Sequence, residues 1–502
     1  MELTVEKSLS IQKRIVRGMA AAVGAAGATY GPAGWTVSIH RSNGRMQSTK
    51  CGATVLQSFS LQDPFEDAGA HLLAQIASQV RKHSGDGSTA GILLAHSIAA
   101  EAFDGTLTSN ELAELSAAIR QEAEVVEGFL QQRALPATDS LLRSLALGVT
   151  GRDRRLAELI CDAFAAADDP QAVFLDRQCK GQGGVDGVDG LLLRGFCMGA
   201  SSDVQIGYDL DKANLLLRPG LLSDWSEIEQ MLDPSGRPTL VLAEKILPEF
   251  RRAAAATNRK NLFIFEVFGS PSSTAAEQIE AISRTFNQPS PSDAPLPALS
   301  GAPQARIILA EQKIMVCAGS IAMSANPVLA PLKRRASIVT LPEGREATCE
   351  ERCERAMQGI ASLRSALRDG VVAGAGAALL DAARWLGARP AEGKIAQRGS
   401  DVLCRAMLAP MRALIDSSGQ MGDHETRKRL GAPTPGIGFD IGTKSFVPAL
   451  ENEIVTPLST VVTALRVASS TVGLILLTEA LAEEKHVRDA RLKVFDVPAA
   501  LH

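Results

Sequence analysis

Ser84-Gly85-Asp86-Gly87-Ser88-Thr89, running directly into Ala90-Gly91-Ile92-Leu93-Leu94, is the stretch on which the reading of this chain turns. Two glycines let the backbone turn tightly, and Ser88 and Thr89 then open a helix. A helix N-terminus presents amides without intrahelical acceptors and a partial positive charge, which makes it a natural seat for a phosphate. Asp86 adds a hard oxygen ligand of the kind Mg²⁺ takes. On these residues alone the stretch reads more readily as an ordinary loop with a Ser/Thr cap, because glycine-rich matches are common.

Composition bounds the rest. At 502 residues the chain exceeds what one hydrophobic core supports, so two or three domains are expected. Aromatics are only 4% against a 45% hydrophobic share, so alanine and leucine do most of the core filling, which favours helices. A net charge of −4 offers no basic footprint for nucleic acid. No apolar run reaches the ~18 residues that a membrane helix needs. The eight cysteines are scattered, with no CxxC pair and no spacing of a small secreted scaffold, and the seven histidines show no metal spacing. A cytoplasmic protein without membrane or nucleic-acid partners is the expectation.

Outward from the Gly-Asp-Gly turn, the flanking sequence is helical. Ile11, Ile15, Met19 and Val23 recur at four-residue steps, predicting a helix over 8–29 that Gly31-Pro32 stops. Val37–His40 reads as a short strand. Leu72, Leu73, Ile76 and Val80 mark one face of a helix over 65–83, and further helices fit 88–103 and 110–132. The texture changes at Ala134-Leu135-Pro136. A helix near 153–167 and a strand at Ala172–Leu175 lead to Gly181-Gln182-Gly183-Gly184, which reads as a hinge-like connection. Residues 185–330 alternate apolar strands (190–193, 213–217, 239–242, 261–265) with helices (224–233, 248–257, 273–286), an α/β pattern. The Pro- and Ser-rich stretch 288–304 reads as a loop or surface insert. A strand at 337–341, a long helix at 346–369 and helices at 397–418 and 457–484 return to the texture of the first block.

The company of the opening stretch gives it a family. Upstream stand Ala28-Thr29-Tyr30-Gly31-Pro32-Ala33-Gly34, Ser48-Thr49-Lys50-Cys51-Gly52 and Asp63-Pro64-Phe65-Glu66-Asp67-Ala68-Gly69-Ala70. Downstream stand Gly370-Val371-Val372-Ala373-Gly374-Ala375-Gly376, Gly438-Phe439-Asp440 and Glu453-Ile454-Val455-Thr456-Pro457. In order and spacing this resembles the chaperonins, nearest to the bacterial group I (GroEL-like) branch, strongly at both ends of the chain and weakly in the middle. The resemblance implies a multidomain α and α/β chain. A helical equatorial domain comes from 1–133 and 371–502, a small α/β intermediate domain from 134–184 and 331–370, and an α/β apical domain from 185–330. It also implies ATP and Mg²⁺ as cofactors, protein partners and a ring oligomer.

Carried over residue by residue, the resemblance places Thr29, Tyr30, Gly31 and Pro32 in the nucleotide pocket with Lys50. Asp86, Gly87, Ser88 and Thr89 form the phosphate loop, Asp86 being the metal ligand. Gly374 lies beside the nucleotide, and Ile454 against the base. The departures fall on the chemistry. The family has an Asp after its lysine where this chain has Cys51. A second catalytic Asp on the helix before Val371-Val372 corresponds to Gln358, and no Asp occurs from Cys349 to Arg368. The Asp that holds the sugar corresponds to Thr456, and three glycines have become Gly374-Ala375-Gly376. No catalytic acid is therefore assigned. Loss of a general base typically costs about 10²–10⁴ in rate.

The resemblance also implies a client face on the apical domain. Its loop matches Arg194–Ser201, with Phe196 the one aromatic, and its two helices place Ser226 and Glu229, then Arg251, Ala255 and Ala256, at contact positions. Such a face, with Glu227 and Arg252 beside it, is polar and suited to a charge-matched partner. Two functions stay open. One is a chaperonin-like protein with a degenerate ATPase site that serves as a protein-binding or assembly partner. The other is an active, diverged ATP-dependent group I chaperonin that assists folding.

Overall fold

The structure is a computed structural model that describes residues 6–7, 9–40, 44, 46–103, 107–177, 179, 181–199, 209–229, 236–257, 259, 261–286, 304–309, 313–317, 326–344, 346–419, 434–478 and 480–481. It divides into two compact units: Met1–Glu158 together with Glu346–His502, and Leu159–Arg345.

The first unit is helical, and its local sequence explains its helices. Asp63 caps the helix Pro64–Ser84 by accepting from the Phe65 and Glu66 amides at 2.9 and 3.2 Å, with Pro64 at the first position, where no donor is needed. Arg81, Lys82 and His83 occupy its last turn, and Gly85 ends it in the left-handed conformation at φ 77°. Gly87, at φ 83°, starts the next helix, Ser88–Ala102. That helix is apolar over most of its surface, with His96, Ser97 and Glu101 on the partly exposed side, because it is packed by the helices Leu9–Ala26, Pro64–Ser84, Lys394–Ala406 and Leu458–Leu476.

One hydrophobic cluster joins Ile11, Leu73, Leu94 and Leu115 from the N-terminal part to Val372, Leu403, Leu465 and Val472 from the C-terminal part. The helix Leu458–Leu476 is long and apolar enough to cross a membrane, which the sequence reading did not anticipate. Its most apolar window is 67% buried in this core, and Arg466 on it pairs with Glu127.

The expected single helix over 397–418 is two helices, Lys394–Ala406 and Ala409–Ser417. Pro410 has no amide to donate, so it starts a helix more readily than it continues one.

The second unit is an α/β body. Its strands run across one sheet in the order Lys313–Cys317, Gln304–Leu309, Asp209–Leu222, Thr239–Ile246, Leu262–Val267, Gly184–Gly199, Lys333–Thr340 and Val173–Asp176. Strand 313–317 also pairs with 184–199, so the first six strands close on themselves. Strands 209–222, 239–246 and 262–267 are mutually parallel. Their apolar runs are buried on both faces. Leu215, Leu240 and Phe263 pack with Ile279 and Ile282 of helix Ala275–Thr285, while Leu216, Val241 and Ile264 pack with Ile228 and Phe250 of helices Trp225–Glu229 and Pro248–Ala256. Gly181 and Gly183, both at positive φ, form the turn into strand 184–199, which continues directly into the ladder with 333–340.

The helix expected over 457–484 ends at Leu476, and Ala480–Leu481 is instead a short strand paired with Glu6–Lys7. Most of the Pro/Ser-rich stretch 288–304, Ala200-Ser201, residues 230–233 of the helix expected over 224–233, and residues 482–484 lie outside the described residues.

Candidate functional site

The residues singled out in sequence lie in the first unit, where three loops and a helix meet. The turn Gly27–Thr29 ends the first helix, and Thr29 is buried there. Its hydroxyl donates to the Ala26 carbonyl at 2.7 Å and lies 3.3 Å from the Thr89 hydroxyl. Gly52 fits against this pair, since a Cβ there would sit 3.3 Å from the Thr29 oxygen and closer still to that of Thr89. Thr29 and Thr89 thus tie the first predicted motif to the Gly85–Thr89 turn. Gly31, at φ 80°, packs so tightly on Leu414 that a side chain would clash. Tyr30 follows the turn, and burial together with the nearby Asp86 charge raises its phenol above the ordinary range.

Asp86 sits between the two left-handed glycines. Burial raises its carboxyl pKa, and a hydrogen bond from the Gly87 amide opposes the shift. Ser84 supports the turn by donating to the Asp86 carbonyl at 2.7 Å. A Cβ on Gly87 would clash with Thr460 Cγ2, while Thr460 Oγ1 is buried and has no hydrogen-bond partner among the described residues. A left-handed glycine, the free first-turn amides of Ser88 and Thr89, and an orphaned hydroxyl alongside make a donor set that fits a phosphate. Asp86 alone is a spare ligand set for Mg²⁺, which usually completes its shell with phosphate oxygens and water.

Gly374 donates to the Ile454 carbonyl at 2.8 Å and a Cβ there would press tightly on the backbone of residues 454–455, so these two predicted residues are brought together. Ala375, where the family has glycine, adopts φ 50°, an uncommon conformation for a residue with a Cβ. Thr456 lies on the short strand that pairs Val372. Lys50 is half-buried beside the helix Glu346–Asp369. Burial first, and the Arg355 charge second, lower its pKa, and Glu351 opposes them.

Cys51 and Gln358, the two residues matched above to the family's acids, lie as follows. Cys51 is 3% exposed, begins the short helix Gly52–Leu56, and its sulfur accepts from Arg81 at 3.7 Å. Gln358 lies on the helix 346–369 between Glu354, one turn before it, and Ala361, one turn after. Glu354 touches the Lys50-Cys51 loop and Ala361 abuts Gly85, so helical periodicity puts Gln358 on the same face.

Glu354 is the residue the sequence reading missed. Its carboxylate accepts from Thr49 Oγ1 at 2.7 Å and Thr54 Oγ1 at 2.6 Å, and lies 3.6 Å from Arg81. An acid four residues before Gln358 was a readable signal, but it stands in a charged run with Glu350 and Glu351 that looks like a solvated face.

On the second unit, Ser226, Glu229, Arg252, Ala255 and Ala256 are exposed, as expected for a polar face, and Phe196 is 38% exposed. Arg251 is instead half-buried and paired with Glu266. The Glu227 side chain lies outside what is described.

A family model for the TCP-1/cpn60 chaperonin family matches residues 24–214 and 305–486. Two solved structures share the fold. Both are crystal structures of the chaperonin gp146 from the bacteriophage EL 2 (Pseudomonas aeruginosa) in the presence of ATP-BeFx. Crystal form II is 17% identical with a TM-score of 0.67, and crystal form I is 16% identical with a TM-score of 0.62; each match covers 96% of this chain and 99% of the other.

Proposed function

The chain belongs to the TCP-1/cpn60 chaperonin family, and from that premise we propose that it is a chaperonin-like protein with a degenerate ATPase site, acting as a protein-binding or assembly partner with little or no ATP hydrolysis. The nested division into equatorial (1–133, 371–502), intermediate (134–184, 331–370) and apical (185–330) parts belongs to this proposal. So do self-association, with a ring as the form the family suggests, and a cytoplasmic location.

The observation that carries it is the occupancy of the two acid positions. A thiol buried in the core and a neutral amide stand where the resemblance puts the two carboxylates that would orient or deprotonate water. Glu354, a carboxylate on the same helix as Gln358, already accepts from two threonine hydroxyls beside a guanidinium, so it holds structure. Thr29, Tyr30, Gly31, Pro32, Lys50, Gly87, Ser88, Thr89, Gly374 and Ile454 would hold ATP, with Asp86 facing its Mg²⁺. Bound there, the nucleotide supplies a charged ligand that orders these loops. The chain's own residues seat phosphate oxygens on amides and hydroxyls and offer no group to take a proton from water.

The active reading rests on Glu354 itself, one turn from Gln358 on the same helix. Phosphate release separates the two. The paired substitution Cys51→Asp with Gln358→Asp raises the rate by about 10²–10⁴ if the acids are what is missing. An unaltered chain that already turns over, and loses that turnover in Glu354→Gln, overturns the degenerate reading.

A further inference from the structure

The second unit carries a site that none of the motifs accounts for. Strands 209–222, 239–246 and 262–267 are parallel, and their carboxyl ends, with the start of helix Ala275–Thr285, border a cleft of about 1030 Å³. The crevice beyond the carboxyl ends of parallel strands is where α/β sheets generally place ligands. Two large apolar side chains stand in the lining and face solvent: Leu221, 48% exposed, and Phe268, 53% exposed.

Neither exposure comes from a loose backbone. Phe268 donates its amide to the Arg194 carbonyl at 2.8 Å, and Leu221 pairs with Lys245 in the strand register. Below them the loop is pinned by Ser270 and Ser273, which exchange backbone hydrogen bonds at 2.8 and 3.3 Å, and by the Thr274–Glu277 capping box.

The charge of the lining is one-sided. Glu244, Glu266 and Glu277 face a single cation, Lys245. Glu266 is neutralised by Arg251, whereas Glu244 is exposed and has no ion-pair partner among the described residues. A rigid aromatic and an aliphatic side chain beside unneutralised carboxylates complement an apolar side chain next to a cation.

We propose that this cleft is a docking site for a short polypeptide segment that carries an aromatic or aliphatic side chain next to a lysine or arginine. The inference rests on the protein-binding reading above and names the chemistry of the partner. Leu221 and Phe268 grip the apolar side chain, and Glu244 takes the cation and favours basic segments over acidic ones.

The test is fluorescence anisotropy with the full chain and three labelled short peptides: one with a central Phe-Arg pair, one with Phe-Glu, and one with Ser-Arg. The Phe-Arg peptide binds most tightly, and Phe268→Ser or Leu221→Ser weakens it by about tenfold or more, as for other truncated anchors. Glu244→Lys narrows the preference over Phe-Glu and flattens the salt dependence. These side chains are solvent-facing, and unchanged circular dichroism and melting of the variants confirm that the fold is kept. Equal binding of all three peptides, or undiminished binding by Phe268→Ser, overturns the site. Peptide binding that ignores every cleft substitution removes this site and leaves the protein-binding reading standing. No peptide binding, with general capture of denatured proteins, overturns this site and favours the folding-chaperonin reading over that of a specific partner.

Discussion

Glu354→Ala tests whether that carboxylate is a structural tie. The substitution removes the acceptor of two hydroxyls, Thr49 at 0% and Thr54 at 6% exposure, with bonds of 2.7 and 2.6 Å. Neither threonine can turn its hydroxyl to bulk water without moving the loop. Hydrogen bonds to a charged group contribute about 1.5–3 kcal/mol each, so losing both costs about 3 kcal/mol at the lower end. Arg81, 42% exposed, stays hydrated and adds little.

The cost falls on the segment that the tie holds, so local opening reports it better than a global melt in a chain with two compact units. Amide exchange over 49–56 should quicken by roughly a hundredfold in Glu354→Ala, since each 1.4 kcal/mol is about tenfold. Glu354→Gln keeps one carbonyl acceptor and should quicken it by roughly tenfold. Exchange within about twofold of the unaltered chain in Glu354→Ala would refute the reasoning and leave Glu354 free to serve chemistry.

Asp86 is held with a raised pKa by burial, so the folded state binds its proton more tightly than the unfolded state does. The stability gained from that proton is fully present below the ordinary carboxylate value of about 3.9 and is lost as pH rises through the raised folded value. Asp86→Asn should therefore be more stable than the unaltered chain at pH 7, with the difference closing toward pH 4; urea midpoints across that range check it, and a constant offset contradicts it. In the second unit, Lys313 is 9% exposed, donates to the Gln171 and Val173 carbonyls, and lies 4.8 Å above the Phe174 ring. Lys313→Met should cost about 2 kcal/mol and quicken exchange in the strand Val173–Asp176, because the carbonyls lose a charged donor.

Much of the fold was legible because local rules and tertiary context agree. Asp63-Pro64 and Gly85 bracket their helix as capping chemistry requires, and the four-residue apolar rhythm of the first helix is the face that meets the core. The long strands 184–199 and 209–222 were legible only at their apolar centres. Val185, Gly187 and Asp189 belong to the ladder with 333–340, a pairing more than a hundred residues away that leaves no local signature. The break at Pro410 was visible in the sequence but was hidden by apolar residues on both sides.

The site divides in the same way. The turns of Gly31, Gly85, Gly87 and Gly376 announce themselves through glycine, and the structure puts all four at positive φ. Glu354 is hidden by the charges around it. Leu221 and Phe268 lie beyond the apolar strand centres 213–217 and 261–265, and only the topology shows that they emerge at the rim.

The most direct measurement is steady-state phosphate release by the unaltered full chain at saturating ATP and Mg²⁺, run beside Asp86→Ala. A site with Cys51 and Gln358 in place of acids predicts that the two proteins release phosphate at the same rate, within about twofold of the spontaneous background, because no base is present to supply the ~10²–10⁴ that base catalysis contributes. Release clearly above that background in the unaltered chain, abolished by Asp86→Ala, would contradict the degenerate site and establish a working ATPase.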